Sequence, residues 1–309
     1  MIRLREWARK INIAGEIRTD EPLAGHTTFR VGGPADLFAR PADARDVATL
    51  LAWANEHEIP WFTIGGGSNI LVSDRGVRGL VIDTTSLSGV RVEGTTLTAG
   101  AGEPVSDVAA FAADHGLAGL DFIYAMPGST GGAVWMNARC YGGEISEVLA
   151  GVDLVDPDSS AGHYAPKSDD FAYKRSPFMS RASVMTSVSF RLRPGEPDEL
   201  WPAMREHEED RRSKGHFAAP CAGSVFKNNR AFGRPSGAII DSLGLRGYTV
   251  GRAKVSDLHA NIVVNTGDAT ASEIRAVVEH VQREVAARLG LKLEREVLYV
   301  GDWGEYGQP

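Results

Sequence analysis

Three segments of the sequence carry the apolar spacing and the end signals of α-helices. Residues 43–58 begin with Asp43, which suits an N-cap. Residues 270–290 begin with Thr270 and Glu273, the spacing of a capping box, and end at a glycine. In "EPVSDVAAFAADHG", Pro104 stands at the start and Gly116 at the end, as helix termini prefer. The apolar stripes of the first two segments are Val47, Leu50, Leu51 and Ala54, and Ile274, Val277, Val278, Val281 and Val285. We therefore expect a helix in each segment.

Short apolar runs between these segments are typical of strands. They include "IPWFTIGGG" at 59–67, "RGLVIDT" at 78–84, several runs within 151–194, and "LKLEREVLYV" at 291–300. After "RPGEPDEL" the composition becomes charged and helical, which indicates a domain boundary at 194–200. The first 17 residues, "MIRLREWARKINIAGEI", predict an amphipathic helix and not a signal peptide. The irregular alternation of predicted helices and strands along the chain predicts a mixed α+β protein of at least two parts.

The composition narrows the class of protein. A chain of 309 residues with 43% hydrophobic and 24% charged residues is typical of a globular protein of two or three domains. Without a run of about 18 apolar residues, no transmembrane helix is expected. The two cysteines, Cys140 and Cys221, exclude a disulfide framework and fit a reducing cytoplasm. No His, Cys and carboxylate spacing of a metal site recurs. The net charge of −7 disfavours general nucleic-acid binding.

The charge is uneven along the chain. Residues 211–254 contain nine basic side chains and one acid, Asp241. The basic residues are Arg211, Arg212, Lys214, Lys227, Arg230, Arg234, Arg246, Arg252 and Lys254. Such a segment suits an anionic small molecule, although a solvated basic face explains the composition equally well.

Two glycine clusters point to a bound ligand. "TIGGGSNILVSD" (63–74) follows a predicted strand, but it has neither the Lys-Ser/Thr of a P-loop nor a GxGxxG that opens a helix. Alone it is more typical of a turn. The second cluster, "AMPGSTGGAVWMNARCYGGEI" (125–145), contains five glycines among small and polar residues. Two separate loops rich in backbone N–H donors suit the pyrophosphate of a dinucleotide.

Six stretches of the sequence carry a family resemblance. In chain order they are "TTFRVGGPAD", "GGGSNILVSD", "PGSTGGAVWMNA", "CAGSVFKNN", "VSDLHANIVVN" and "LEREVLYVG". Together they resemble the MurB family of UDP-N-acetylenolpyruvoylglucosamine reductases. The resemblance extends from about residue 20 to residue 301. The short link "GLRGYTVGRAKVSDLHAN" is similar to the subtype that lacks an extra tyrosine-bearing loop, and Tyr248 within this link is a candidate substitute.

The resemblance implies both a fold and a reaction. The fold would be an FAD-binding domain of the p-cresol-methylhydroxylase type at 1–196, with α+β subdomains at about 1–85 and 86–196, and an α+β substrate-binding domain at 197–309. The reaction would convert UDP-N-acetyl-3-O-(1-carboxyvinyl)-glucosamine to UDP-N-acetylmuramate in cytoplasmic peptidoglycan precursor synthesis. NADPH would reduce FAD, which would then pass hydride to the enolpyruvyl methylene carbon. No metal, nucleic acid, membrane or obligate protein partner is expected.

The resemblance also implies the residues that hold FAD. The implied cofactor residues are Ile64, Gly65, Gly66, Gly67, Ser68, Asn69, Ile70, Pro127, Gly128, Ser129, Gly132, Ala133 and Ile145. The first glycine loop would then wrap the FAD pyrophosphate.

Two residues match catalytic positions of the family. Ser224 in "GSVFKNN" matches the proton donor, and Glu296 in "LEREV" matches the catalytic glutamate. A hydride acceptor of this type needs a proton at the adjacent carbon afterwards, so a positioned acid is chemically sensible. Without the resemblance, Ser224 would be assigned to a turn and Glu296 to an exposed edge strand with Lys292 and Glu294.

The segment "FAYKRSPF" departs from the family pattern of Phe-x-Tyr-Arg-x-Ser-x-Phe. Lys174 occupies the arginine position and Arg175 follows it, so either cation is a candidate to neutralise the substrate carboxylate. Alternation along an extended segment favours Lys174. A lysine keeps the charge and loses the bidentate fork. The implied substrate-binding residues are Tyr173, Lys227, Asn228 and Arg212.

Other chemically capable residues carry no clear assignment. Arg139 either touches a flavin phosphate or faces water, and His259 either lines the nucleotide pocket or has a structural role. Cys140 is expected to be a small buried residue. Cys221 lies just upstream of Ser224, but a thiol without a paired histidine is weak evidence for covalent catalysis.

Two alternative functions remain at this point. An FAD-dependent oxidase on the same scaffold would deliver electrons to oxygen, but it has no reason to carry "GSVFKNN" and "LEREV" together. A non-catalytic protein that binds flavin or a nucleotide sugar is favoured only by the lysine at position 174.

Overall fold

The structure, a computed structural model, describes residues 6, 8, 10–167 and 169–304. The chain divides into two compact units. The first consists of residues up to Asp20, Asp36–Gly66 and Gly79–Glu209, and the second of Glu21–Ala35, Gly67–Arg78 and the residues from Asp210 onward. The predicted boundary between residues 196 and 197 falls inside the first unit, so the predicted functional domains and these compact units do not coincide. The second unit also takes up two short segments from the N-terminal third of the chain.

Helices and strands alternate irregularly through the described residues. Up to residue 114 they are β1 (Glu16–Pro22), β2 (Pro34–Arg40), α1 (Ala44–Glu56), β3 (Trp61–Ile64), β4 (Ile70–Val72), β5 (Val77–Asp83), β6 (Val90–Glu93), β7 (Thr96–Gly100) and α2 (Val105–Asp114). They continue with β8 (Leu117–Ala118), α3 (Thr130–Trp135), β9 (Arg139–Cys140), β10 (Gly143–Glu144), β11 (Leu149–Val155), β12 (Ala161–Tyr164), β13 (Val184–Arg191), β14 (Arg193–Pro194) and α4 (Pro197–Ser213). The last are α5 (Ser236–Ser242), β15 (Thr249–Val250), β16 (Ala253–Val255), β17 (Val263–Asn265), α6 (Ala271–Leu289) and β18 (Leu298–Val300). Short 3-10 helices at Leu23–His26, Thr84–Ser86, Asp121–Ile123, Ile145–Glu147, Pro177–Met179 and Arg230–Phe232 join some of them.

The first unit is built around two sheets, each with its own apolar core. A four-stranded sheet has the order β1-β2-β5-β3, with β3 and β5 parallel. Helix α1 supplies Leu50 and Leu51 to the core of this sheet, which includes Leu37 and Ile82. A five-stranded antiparallel sheet has the order β12-β11-β13-β7-β6. Helices α2 and α3 contribute to its core. The first glycine-rich segment follows β3, and the second, at residues 125–145, contains α3.

The second unit packs α6 against small sheets. Strands β15, β16 and β17 form an antiparallel sheet, and β18 pairs in parallel with β4. The buried face of α6 consists of the predicted stripe, Ile274, Val277, Val278, Val281 and Val285. These side chains lie in one core with Ile239 and Ile262. The core therefore lies beneath the segments that carry Ser224 and Glu296.

The end signals of the helices are confirmed. The Asp43 side chain accepts from the N–H groups of Arg45 and Asp46 at the start of α1. Thr270 and Glu273 form a capping box at the start of α6, and Gly290 ends this helix with φ +67°. Carboxylate and hydroxyl caps satisfy N–H donors that have no partner inside the helix. No described helix is long and apolar enough to cross a membrane.

Two sequence-based predictions of secondary structure, at residues 291–300 and 1–17, differ from the structure. The strand predicted across 291–300 is wrong over most of its length, because only Leu298–Val300 is a strand and Arg295 forms an isolated bridge with Phe226. The N-terminal helix predicted for residues 1–17 is wrong over residues 10–17, which contain no helix; Glu6 and Ala8 are helical, and residues 1–5, 7 and 9 lie outside the described residues. Within the described part, Glu16 and Ile17 belong to β1.

Candidate functional site

The two glycine loops approach each other closely within the first unit. A Cβ atom on Gly66 would lie 2.7 Å from the Gly128 Cα and 3.0 Å from the Ser129 N. A Cβ atom on Gly65 would lie 2.1 Å from the Ser129 Oγ. A side chain on Gly66 would force the loops apart, because it would meet backbone atoms and real carbon contacts are about 3.5–4.0 Å, and one on Gly65 would displace the Ser129 side chain. Close approach of the backbones therefore explains the glycines of the first loop.

The loops also present backbone donors that the protein leaves unused. The N–H groups of Gly65, Gly66, Gly128 and Ser129 donate to no acceptor in the part of the chain that the structure describes. In contrast, the Ser129 Oγ accepts from the Gly132 N, and the Thr130 N donates to the Glu103 carbonyl. Exposed N–H groups on bare backbone suit phosphate oxygens. These residues therefore fit the pyrophosphate of FAD.

The other predicted cofactor residues fall into two groups. Ile64, Pro127, Ala133 and Ile145 belong to the first unit, and Ile145 is fully buried at the start of a 3-10 helix. The residues Gly67–Ile70 belong to the second unit. There, Gly67 has φ +59°, and a Cβ atom on it would lie 2.0 Å from the His26 carbonyl oxygen. The glycine at this position is thus required by local backbone packing as well as by any ligand.

A cavity in the second unit is lined by one predicted catalytic residue, Ser224, and by one of the four predicted substrate residues, Asn228. It has a volume of about 290 Å³. Its lining includes Ser224, Asn228, Asp241, Arg246, His259 and Asn261. Arg246 forms an ion pair with Asp241. The lining therefore combines hydroxyl, amide, carboxylate and guanidinium groups with the apolar side chains of Pro235, Ala238 and Ala260, so it offers a ligand both hydrogen bonds and apolar contacts. His259, which had two possible roles in the sequence, lines this cavity.

Ser224 lies in a segment that is held by neighbours on both sides. It forms an antiparallel bridge with Ile262, and the Val225 N donates to the Asn261 carbonyl at 2.8 Å. On the other side, the Glu296 N donates to the Val225 carbonyl at 2.7 Å. Ser224 and Glu296 thus occupy adjacent segments of one unit, although they are distant in the sequence.

The Glu296 segment is anchored by the exit of the first glycine loop. The Asn69 Nδ2 donates to the Glu296 carbonyl at 3.1 Å, and the Leu298 N donates to the Asn69 carbonyl at 3.0 Å. The Arg295 guanidinium lies 3.7 Å from the centre of the Tyr299 ring. Glu296 is half-buried, whereas Glu294 is exposed. The carboxyl group of Glu296 therefore has a different environment from that of an exposed edge strand. The anchoring role of Asn69 had no signal in the sequence.

Much of the positive charge of residues 211–254 is neutralised locally. Lys214, Lys227 and Lys254 form ion pairs with carboxylates that lie outside this segment, namely those of Asp210, Glu294 and Asp257. The exposed side chains of Arg230 and Arg234 form no ion pair within the described residues. Arg234 directly precedes Pro235, which lines the cavity. The net charge of the sequence segment therefore overstates the charge available to a ligand. The sequence did not distinguish these two arginines from the paired cations.

Lys174 and Arg175 lie in a tight turn of the first unit. The Ala172 and Arg175 backbones exchange hydrogen bonds of 3.1 and 2.9 Å, and Lys174 has φ +54°. The Asn137 Nδ2 donates to the Ala172 carbonyl, which fixes the turn. The alternation argument for Lys174 is wrong, because it requires an extended segment. Burial distinguishes the two cations instead, since Lys174 is half-buried and Arg175 is exposed. The predicted substrate residue Tyr173 lies in the same turn and is 44% exposed.

The remaining candidate residues have local structural partners. Arg139 forms an ion pair with Glu144 across the β9–β10 hairpin. The half-buried Cys140 thiol donates to the Phe122 carbonyl. Burial raises the pKa of the Cys221 thiol, which disfavours a thiolate nucleophile at that position. Tyr248 stacks on His280 with ring centres 3.7 Å apart. In the described residues, no cluster of His, Cys, Asp and Glu could hold a metal ion.

Two histidines beside the cavity are held neutral. Burial, with a smaller contribution from the Arg211 charge, lowers the pKa of His216 to about 4. Burial and the charges of Lys214 and Arg246 lower the pKa of His259 in the same direction. The His259 Nδ1 accepts from the Asn261 N at 3.1 Å, so a neutral ring carries its proton on Nε2. His259 therefore lines the cavity and also makes a structural hydrogen bond.

Comparison with known proteins gives matches over almost the whole chain. A family model described as an FAD binding domain matches residues 35–162, and one described as the C-terminal domain of UDP-N-acetylenolpyruvoylglucosamine reductase matches residues 215–300. The UDP-N-acetylenolpyruvoylglucosamine reductase of Borreliella burgdorferi is 37% identical over 96% of this chain and 98% of its own. The UDP-N-acetylenolpyruvoylglucosamine reductase of Heliobacterium modesticaldum is 40% identical over 94% of this chain and 92% of its own. The crystal structure of the MurB enzyme from Thermus caldophilus covers 94% of this chain and all of its own, with a TM-score of 0.77 at 30% identity.

The fold and the glycine loops thus define a flavoprotein, an oxidoreductase whose cofactor is FAD. Within this class, the chain belongs to the UDP-N-acetylenolpyruvoylglucosamine reductase family. The predicted α+β class, cofactor and family are confirmed.

Proposed function

We propose that this chain uses NADPH to reduce UDP-N-acetyl-3-O-(1-carboxyvinyl)-glucosamine to UDP-N-acetylmuramate. The observation that carries the proposal is the identity of 37–40% to reductases of this name over more than nine-tenths of the chain. The bare glycine loops support the requirement for FAD, and the hydroxyl, amide and guanidinium groups that line the cavity of the second unit support a substrate rich in hydrogen-bonding groups. UDP-N-acetylmuramate would then serve peptidoglycan precursor synthesis.

The chemistry makes two demands on the protein. FAD, when bound, supplies the two-electron chemistry that connects NADPH oxidation to reduction of the substrate alkene. Because electron density moves toward the attached carboxylate, a cation or hydrogen-bond donor must stabilise the charge that develops there. The carbon next to the carboxylate must then receive a proton from a positioned acid.

Ser224 is the proposed proton donor to this carbon. Its position on the cavity wall and its fixed backbone support the role. Glu296 is the second proposed catalytic group. The hydrogen bond from its N–H to the Val225 carbonyl supports this assignment, because it ties the glutamate to the residue next to Ser224. We assign the Glu296 carboxyl group to the same proton-transfer step.

Lys174 is the proposed partner of the substrate carboxylate. Its half-buried position supports this choice over the exposed Arg175, because a less solvated charge interacts more strongly with an anion. A lysine would act as a point charge without bidentate hydrogen bonds. Tyr173, in the same turn, is a proposed substrate contact.

The other proposed substrate contacts lie in the second unit. The Asn228 Oδ1 accepts from the Ser236 N at 2.9 Å, so its NH₂ group is the part left for a ligand. Lys227 must exchange its ion pair with Glu294 if it is to contact a diphosphate. Arg212 is exposed at the end of α4, with its guanidinium 6.0 Å from the centre of the Phe217 ring. Arg230 and Arg234, which form no ion pair in the part of the chain that the structure describes, join them as proposed diphosphate contacts.

The location and partners of the reaction are part of the same proposal. We propose that the enzyme acts in the cytoplasm, as its membership of this family suggests. The described helices contain no candidate membrane span, which agrees with this location. We propose that the reaction needs no metal, nucleic acid or obligate protein partner.

Product analysis tests the proposed function. Purified protein is incubated with NADPH and the UDP-sugar enolpyruvyl ether, and the nucleotide sugar is analysed by mass spectrometry. We expect a product that gains two hydrogen atoms and co-elutes with UDP-N-acetylmuramate. Consumption of NADPH with oxygen and an unchanged nucleotide sugar would instead identify an oxidase.

A further inference from the structure

The side chain of Asn261 replaces a missing strand partner beside Ser224. The Asn261 Oδ1 accepts from the Phe226 N at 3.0 Å, and its Nδ2 donates to the Phe226 carbonyl at 2.8 Å. One carboxamide thus satisfies both backbone groups of a single residue that is 35 positions away in the sequence. Asn261 is only 3% exposed.

The Asn261 backbone holds the same segment. Its carbonyl accepts from the Val225 N at 2.8 Å, and its N–H donates to the His259 Nδ1 at 3.1 Å. All four polar groups of Asn261 are therefore engaged. The residues from Ser224 to Phe226 are not part of a continuous strand. On one side they are held by these hydrogen bonds and the isolated bridge to Ile262, and on the other by the bridge from Phe226 to Arg295 and by the Glu296 N–H.

The position of Ser224 matters for a reaction of this type. A proton donor must reach hydrogen-bond distance of the acceptor carbon at the moment of transfer, and a misplacement of about 1 Å can cost on the order of 100-fold in rate. Ser224 and Asn261 line the same cavity. Ser224 is two residues from Phe226, whose backbone N–H and carbonyl form hydrogen bonds with the Asn261 carboxamide.

We propose that Asn261 is the positioning residue for Ser224, holding the Ser224 hydroxyl in place through the Phe226 backbone. The inference rests on the proposed role of Ser224 as the proton donor. Asn261 would not itself transfer a proton.

The chemistry of a carboxamide suggests a specific test. The variant Asn261→Asp keeps the shape, but an ionised carboxylate cannot donate, and it would place negative charge against the Phe226 carbonyl. A protonated carboxylic acid can both accept and donate, as the carboxamide does. The function of the variant should therefore recover as the pH falls through the pKa of the introduced acid.

The experiment follows two half-reactions of the FAD-loaded enzyme by anaerobic stopped-flow. One is flavin reduction by NADPH, and the other is flavin reoxidation by the UDP-sugar enolpyruvyl ether. For Asn261→Asp we expect reoxidation to slow by roughly 10- to 100-fold at neutral pH and to recover toward the wild-type rate at lower pH. Flavin reduction should change little. The variant Asn261→Gln, which keeps the donor and acceptor on a longer arm, should slow reoxidation without this recovery.

Asn265→Asp is the matched control. Asn265 is a buried asparagine of the same unit that donates to the Phe29 carbonyl and accepts from the N–H groups of Gly267 and Ala269. It holds segments that do not carry Ser224. This variant should lose comparable stability in urea unfolding without a selective loss of reoxidation.

Ser224→Ala separates the two hypotheses. If Ser224→Ala blocks reoxidation while both Asn261 variants reoxidise at the wild-type rate at every pH, the positioning role is wrong and the role of Ser224 stands. If the flavin of Ser224→Ala is reoxidised at the wild-type rate, the proposed role of Ser224 is wrong, and the positioning role of Asn261 is wrong with it. Equal losses in both half-reactions for Asn261→Asp and Asn265→Asp would assign Asn261 a purely structural role and overturn the proposal.

Discussion

Gly66→Ala tests whether the close approach of the two glycine loops matters for FAD. The added methyl group would lie 2.7 Å from the Gly128 Cα and 3.0 Å from the Ser129 N. Both are backbone atoms, so no flexible side chain can move away. A normal carbon contact requires the loops to separate by about 1 Å. This would displace the N–H groups of Gly66, Gly128 and Ser129 that are proposed to hold the pyrophosphate.

The size of the effect follows from the cost of overpacking. Inserting a methyl group into closely packed structure costs about 1–3 kcal/mol. If this whole cost is lost from cofactor binding, the FAD dissociation constant rises roughly 5- to 150-fold. If the apoprotein relaxes around the methyl group, part of the cost appears instead as a lower free energy of unfolding.

The assay is titration of the apoprotein with FAD, followed by quenching of flavin fluorescence, with urea unfolding of the same samples. Gly25→Ala is the control, because a Cβ atom on Gly25 meets no atom within 4 Å. We expect a weaker FAD affinity for Gly66→Ala and an unchanged affinity for Gly25→Ala. An unchanged affinity in Gly66→Ala, with the apoprotein still folded, would refute the assignment of these loops to FAD.

Three further predictions concern the substrate, the pH dependence and the fold. Lys174→Ala should slow flavin reoxidation by substrate far more than flavin reduction by NADPH, and Arg175→Ala should change both rates little. If Arg175→Ala instead slows reoxidation and Lys174→Ala does not, Arg175 is the partner of the substrate carboxylate. The pKa of His216 is lowered to about 4 in the folded protein from an ordinary 6.5, so the unfolded chain binds more protons than the folded chain between these two pH values. The free energy of unfolding should therefore fall as the pH decreases from 6.5 to about 4. His216→Gln should reduce this fall by about 1 kcal/mol at around pH 5 after solvent screening, measured by urea unfolding, whereas an unchanged slope would contradict the pKa argument. Thr270→Ala should lower the free energy of unfolding by about 1 kcal/mol through loss of the capping box, and no change would show that the cap is redundant.

Local signals were sufficient for most helices and several strands. Asp43 and Gly290 mark helix ends through hydrogen bonds and a positive φ that involve only nearby residues. The last segment was predicted less well because its contacts are distant. The N–H groups of Glu296 and Val297 both donate to the Val225 carbonyl, so the segment cannot continue as a regular strand there.

The site was less predictable than the fold for the same reason. Motif resemblance predicted Ser224 and Glu296, but the carboxamides of Asn69 and Asn261 that hold their segments act over long sequence separations. The charge of residues 211–254 was overestimated from the sequence for a different reason. The lysines of this segment form ion pairs with carboxylates that lie outside it. A turn at Lys174 removed the alternation on which its assignment depended.

The central claim is that this chain passes electrons from NADPH through FAD to an enolpyruvyl double bond. The most direct measurement is to bleach the flavin of the purified protein with NADPH under anaerobic conditions and then to add the UDP-sugar enolpyruvyl ether. We predict rapid return of the flavin absorbance with stoichiometric formation of UDP-N-acetylmuramate. A flavin that stays bleached until oxygen is admitted, with no acceleration by the nucleotide sugar, would contradict the account.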